Sequence, residues 1–384
     1  MSQIGLFEAP SLPSLSSLRP AAAMMAKVLL DKTASALRFA LRRPLPIEQW
    51  PRIVDETKTA LHMWSARGWL ERPACYHVAP PDLSDADVQI DRAPRETNLR
   101  LSFESGYEPH ADEPGRDRWM DYRSNAIAHA YLLRHPGAPR PWIVCIHGYG
   151  TGFPFVDGGA FGVRWLHEEL GLNVALPVLP FHGPRRTGWQ SGDGFFAGDV
   201  MDTLHAEAQA LWDLRRVVSW IRAQEAETVG AYGLSLGGYN AALLAAFDPD
   251  LRCAIAGVPV AEFVELGRLH SQLAASRAEA AGIDWGDVTR LYRVISPLAL
   301  MPRIPRRRRF IFGGRGDCIV PATQVNRLWR RWGRTPIAWY EGTHLSCPFE
   351  PTVREFVGKA LTATLLQPAP DEQRDDPNSI SDVA

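Results

Sequence analysis

The stretch Gly233-Leu234-Ser235-Leu236-Gly237 constrains this chain more than any other. Before it, Thr228 to Leu234 is a run of small, branched and aromatic residues suited to a buried strand; after it, Tyr239 to Phe247 (YNAALLAAF) predicts an apolar helix. The serine therefore falls at a strand-to-helix turn. A turn that tight leaves almost no room for side chains two residues before and two after, a need that glycine at 233 and 237 meets. It exposes the serine oxygen above the sheet and aims the unpaired N–H groups and positive dipole end of the helix at charge developing beside it.

Small residues around a serine also occur where a strand packs closely on a helix, so the rest of the chain has to supply partners. With such an elbow they follow in the order Ser, then Asp or Glu, then His. Only His270 and His344 come after Ser235. His344 stands just past the strand-like run Ile337 to Tyr340, where a loop returns it over the sheet edge, whereas His270 lies in a polar, Ala-rich helical stretch and reads as a solvated or cap residue. Among the intervening acids Asp317 stands out, because it follows the apolar run Arg309-Phe-Ile-Phe that ends in glycines, and the end of a parallel strand faces the rim where sites form. Its competing role is a turn aspartate capping a helix that starts near Pro321.

The elbow, Asp317, His344 and the upstream His147-Gly148-Tyr149-Gly150 together make the chain resemble an α/β-hydrolase over roughly Leu99 to Leu366. A narrower similarity, to the alpha/beta hydrolase domain-containing 18 type, rests on Cys145-Ile146-His147 followed by Gly150-Thr151-Gly152, and on Tyr340-Glu341-Gly342-x-His344. The resemblance implies a mostly parallel central sheet with helices on both faces, carrying a Ser235-His344-Asp317 triad that cleaves a carboxylic ester or thioester through an acyl-enzyme, with no organic cofactor and no metal. Peptidase or amidase chemistry on the same fold is the nearest alternative, though no propeller or other gating domain for peptides is recognisable. A binding protein that keeps the fold without catalysis is the other, and all three triad positions are occupied.

His147 to Gly152 follows the continuous apolar run Trp142 to Ile146 and admits two readings. A dinucleotide fingerprint needs glycine at 153, where phenylalanine stands. As an oxyanion loop it offers the N–H of Tyr149, or of Gly150, to join that of Leu236, with His147 anchoring the loop by hydrogen bonds. The next strand, Asn173 to Pro180, leads into a Gly- and aromatic-rich loop at the same rim, in which His182, Arg185 and Trp189 are candidate substrate contacts.

A formal net charge of −1 argues against general attraction to nucleic acid. The eleven histidines show no metal-ligand spacing, and the five cysteines form no C-x-x-C pair and suit a reducing, cytoplasmic setting. Residues 1–20 read as a flexible lead-in, 21–85 as an N-terminal helical extension, 86–366 as the main domain and 367–384 as a disordered acidic tail. Within the extension, Ala21 to Arg43 has helical spacing but is broken by Lys27 and Asp31, too short to span a membrane. It reads as a helix docked on the domain surface, with peripheral membrane contact as the other possibility. Ala261 to Leu300 is the expected helical cap insertion, sized to shield a moderate acyl chain of a small-molecule substrate. Oligomeric state leaves no mark in the sequence.

Overall fold

The computed structural model describes residues 24–33, 45–92, 99–224, 226 and 228–367. The expected lead-in over 1–20, residues 34–43 of the first helical segment, and all but the first residue of the expected tail lie outside these. The strands are β1 (Val88–Arg92), β2 (Leu99–Glu104), β3 (Ile127–Leu133), β4 (Trp142–Ile146), β5 (Asn173–Val178), β6 (Val229–Leu234), β7 (Cys253–Gly257), β8 (Arg309–Gly314) and β9 (Ile337–Tyr340). Among the described residues they form one sheet in the order β1-β2-β3-β5-β4-β6-β7-β8-β9. β1, β2, β3 and β5 pair antiparallel in succession, and every pair from β5 to β9 is parallel. This is the mostly parallel sheet that the resemblance implies, with an antiparallel edge.

The helices are α1 (24–33), α2 (Trp50–Ala66), α3 (Arg116–Asp121), α4 (Pro154–Phe161), α5 (Val200–Ala223), α6 (Leu236–Phe247), α7 (Phe263–His270), α8 (Gln272–Ala280), α9 (Trp285–Leu291), α10 (Ala322–Arg331) and α11 (Pro351–Leu361). Every residue of β4, β6 and β7 is buried, because helices cover both faces. Alternation along β4 sends Trp142, Val144 and Ile146 to one core layer, where Trp220 of α5 meets Trp142 edge-on, and Ile143 and Cys145 to the other, with Val353, Val357 and Leu361 of α11. Each such aliphatic side chain contributes about 1.5–3 kcal/mol on burial.

α2 buries Trp50, Ile53, Thr57, Ala60 and Trp64, a stripe at helical spacing, so its tryptophans belong to the core. Arg118 of α3 clamps it to the domain, reaching Glu56 and Asp202 of α5 at 2.8 Å each. After the glycine loop, α4 starts at Pro154 and stops at Gly162 (φ +62°), proline suiting the first helical turn and glycine the left-handed cap. The chain is helical again over 163–169, widening into a π-turn at Trp165–Glu169. Among the described residues no helix is long and apolar enough to cross a membrane.

Candidate active site

The parallel strands end on one rim, and each chemically interesting side chain lies just beyond such an end. Ser235 follows β6 directly, with φ +58° and ψ −114°, a conformation that costs a non-glycine residue about 1–3 kcal/mol. Neighbours hold it there. Its N–H donates to the Gly257 carbonyl at 2.9 Å, and its own carbonyl accepts from Tyr239 N at 3.1 Å and Val260 N at 3.3 Å. A Cβ on Gly233 would lie 1.9 Å from the Gly237 oxygen, and one on Gly237 would lie 1.7 Å from the Ile146 oxygen, so both positions exclude any side chain. Leu236 opens α6, and its N–H therefore has no carbonyl one turn earlier to bond.

Asp317 stands in the turn after β8, where it bonds the amides of that turn and does not cap α10, whose N-cap Pro321 takes no side-chain bond. Its Oδ1 accepts from Ile319 N at 2.9 Å and Val320 N at 2.7 Å, and its Oδ2 accepts from His344 Nδ1 at 2.7 Å. His344, in the loop after β9, keeps 11% of its side chain exposed. Burial works against its protonated form, but the charge and hydrogen bond of Asp317, with a further contribution from Asp31, raise its pKa above the ordinary value. Asp317 thus fixes the tautomer that leaves Nε2 free to accept a proton. Among the described residues no hydrogen bond joins the Ser235 hydroxyl to His344, a contact that in unliganded sites often tightens only with substrate.

His147 is buried and holds the loop after β4. Its Nε2 accepts from Leu179 N at 3.0 Å, which leaves Nδ1–H to donate to the Gly148 carbonyl at 2.8 Å. Thr151 Oγ1 donates to that same carbonyl at 2.9 Å. Since the Gly148 C=O and the Tyr149 N–H share one trans peptide, pinning the first orients the second in the opposite direction. The loop also runs against the serine, as a Cβ on Gly148 would sit 3.5 Å from Ser235 Cβ.

The three candidate substrate contacts separate. Arg185 is 0% exposed, its guanidinium bonding the Val178 and Asn125 carbonyls at 2.9 Å each and pairing with Asp213 of α5 at 2.9 Å. This corrects the sequence expectation: a carboxylate 28 positions away in the chain draws the arginine inward, into the fold and away from any substrate. His182 is likewise fully buried, its Nδ1–H given to the Pro180 carbonyl and its ring 5.0 Å from His147 and 5.6 Å from Tyr149, so it backs the 147–152 loop from within. Trp189 is 98% exposed.

The chain after β7 forms α7, α8 and α9, short helices in the expected cap region. Between them, the start of α2 and the segment before α5 lies a cavity of about 410 Å³, its wall mostly apolar and including Phe196, Phe263, Leu266, Ala275, Val288 and Tyr292. None of Ser235, Leu236, Tyr149, Asp317 and His344 lines it, but its wall residues touch the reactive rim's neighbours on two sides. Phe196 packs 5.2 Å from Tyr149 of the glycine loop and 4.9 Å from Phe263, which itself stacks on Tyr239 of α6 at 4.2 Å. His270, at the end of α7, bonds the Ile319 carbonyl two residues beyond Asp317. His270, half-buried at the last position of α7, lines the cavity. Among the described residues no group of three or more His, Cys, Asp or Glu is arranged to hold a metal ion.

Sequence reasoning missed Asp31. It is fully buried against the loop that carries His344, with its partners more than 300 positions away in sequence, and its only local signal was a charge interrupting an apolar run.

No family model matches the chain. Two proteins of Mycobacterium tuberculosis, "Uncharacterized protein MT2702" of strain CDC 1551 / Oshkosh and "Uncharacterized protein Rv2627c" of strain ATCC 25618 / H37Rv, are each 42% identical to it over 360 residues, spanning 93% of this chain and 86% of theirs. Among solved structures, an acetyl xylan esterase from Paenibacillus sp. R4 superposes with a TM-score of 0.52 at 14% identity, covering 77% of this chain and 99% of that one. At that identity the likeness is one of fold alone.

Proposed function

The chain belongs to the same family as the two mycobacterial proteins and has the α/β-hydrolase fold, and on that premise we propose that it is a serine hydrolase of carboxylic esters or thioesters. The observation that carries the reading is the 2.7 Å bond from His344 Nδ1 to Asp317, on the rim where Ser235 sits strained at the strand-to-helix turn. In this reading Ser235 Oγ attacks the acyl carbonyl while His344 Nε2 takes its proton, and Asp317 stabilises the imidazolium that forms. The anionic oxygen of the tetrahedral intermediate is held by the N–H groups of Leu236 and Tyr149. The intermediate collapses, the alcohol or thiol leaves with the proton from His344, and the acyl group stays on Ser235. Water then attacks the acyl-enzyme, again with His344 as base, and the acid departs.

In this reading the acyl chain runs toward the apolar cavity beneath α7, α8 and α9, whose wall residue Phe196 packs on Tyr149 of the glycine loop and on Phe263. The reading is tested by steady-state hydrolysis of p-nitrophenyl esters from acetate to decanoate by the native protein and Ser235→Ala. Loss of turnover by about 10⁴-fold or more in the variant is expected, and full activity in Ser235→Ala sinks the assignment.

A further inference from the structure

The helix α1 comes from the far N-terminal side of the chain, yet it lies across the two loops that carry Asp317 and His344. Its Asp31 is 0% exposed and accepts three hydrogen bonds from the histidine loop: His344 N at 2.8 Å, Leu345 N at 3.1 Å and Thr343 Oγ1 at 3.0 Å. Lys27, one turn earlier, pairs with Glu350 at 2.6 Å, and Glu350 in turn accepts from Ser346 Oγ at 2.6 Å. On the other side Met24 covers the acid loop, its sulfur 2.7 Å from where a Gly316 Cβ would stand. Within the loop Thr343 N donates to Ser346 Oγ and Ser346 N to the Thr343 carbonyl, so the N–H groups of His344 and Leu345 are the two that the Asp31 carboxylate satisfies.

We propose that Asp31 is a positioning residue of the active site: its carboxylate, delivered by α1, fixes the backbone of the His344 loop and places a second negative charge behind the Asp317–His344 pair. This rests on the triad reading above and adds a group outside it. Besides Asp317, the charged and titratable groups packed about the loop are Asp31 and Lys27 from α1, Tyr340 and Glu341 at the end of β9, Cys347 and Glu350 before α11, and Arg315 after β8. Lys27 offsets Glu350 and Arg315 offsets Glu341 at 2.8 Å, so among the described residues the unbalanced charges beside the imidazole are the two aspartates. The raised pKa of His344 agrees with this, because burial opposes protonation and Asp317 and Asp31 are what favour it.

The test uses full-length protein carrying Asp31→Asn or Asp31→Ser, two neutral changes so that one misfolding does not end it, with Asp31→Glu as the charge-keeping rescue. The readout is the His344 imidazole titration by NMR, assigned with a His344→Gln spectrum, alongside the pH profile of kcat/KM for a p-nitrophenyl ester. The neutral variants are expected to lower the imidazole pKa by about half a unit to one unit, move the acid limb of the profile down by the same amount, and reduce kcat about tenfold or more. Asp31→Glu is expected to restore the titration. Thr343→Val, which removes one bond to Asp31 but no charge, is expected to leave it unchanged. An imidazole that titrates identically in native and neutral variants overturns the inference. Since the NMR titration needs no substrate, a native protein that hydrolyses nothing counts against the triad reading without deciding the role of Asp31.

Discussion

Replacing Asp317 by asparagine separates shape from charge, and the local hydrogen bonds determine how the new amide must sit. Oδ1 of Asp317 receives two backbone N–H groups, from Ile319 and Val320. The asparagine carbonyl takes that place, so its NH₂ turns toward His344 Nδ1, which now has to accept. The proton moves to Nε2, the atom that must be empty to take the serine proton. Turning the amide over instead sets an NH₂ against two N–H donors and forfeits two hydrogen bonds, about 3 kcal/mol or 10²-fold in population. Loss of the carboxylate beside the imidazolium removes another 2–3 kcal/mol or so, about 10² in rate. Together these predict a fall of about 10⁴ in kcat/KM for Asp317→Asn, measured on a p-nitrophenyl ester with thermal unfolding as the check on folding. A folded Asp317→Asn protein that keeps more than a tenth of native activity refutes the assignment of Asp317.

Three other changes probe the cavity, the loop arginine and a buried acid. Ala275→Trp, which projects a ring into the 410 Å³ cavity, should cut kcat/KM for octanoyl and longer esters about tenfold or more while sparing acetate, as a chain-length series will reveal. Arg185→Ala strands a buried carboxylate on Asp213 and two carbonyls, so denaturant unfolding should show a loss of about 3–5 kcal/mol, with the KM of the folded fraction unchanged. Glu113 is pushed up to about 7 by burial, so the stability it contributes as a neutral acid is present below about 4.5 and lost as pH rises through 7. Glu113→Gln should therefore raise the melting temperature at pH 8, by the equivalent of about 2–3 kcal/mol, and leave it nearly unchanged at pH 4.

Much of the fold was legible because its signals are local. The continuous apolar runs of β4 and β6 need cover on both faces, the Ile337–Tyr340 run ends where β9 ends, and the glycines at 233 and 237 have no alternative once the strand must turn into α6. The juxtaposition of Asp317 with His344 followed from strand-end positions on a parallel sheet. What escaped was set by partners distant in sequence. Arg185 looked like a rim arginine because nothing nearby announces Asp213, and a buried charge is stable only with such a partner. Asp31 looked like a flaw in an amphipathic pattern, since periodicity registers which face is apolar and is silent about a carboxylate seated on two amides more than 300 residues ahead.

Labelling by a fluorophosphonate probe, located by intact mass and peptide mapping, reads an activated nucleophile at Ser235 without need of a known substrate. A single adduct on Ser235 is expected in the native protein and none in Ser235→Ala or His344→Ala. A folded native protein that takes no adduct, or one whose adduct persists in Ser235→Ala, contradicts the assignment of that nucleophile.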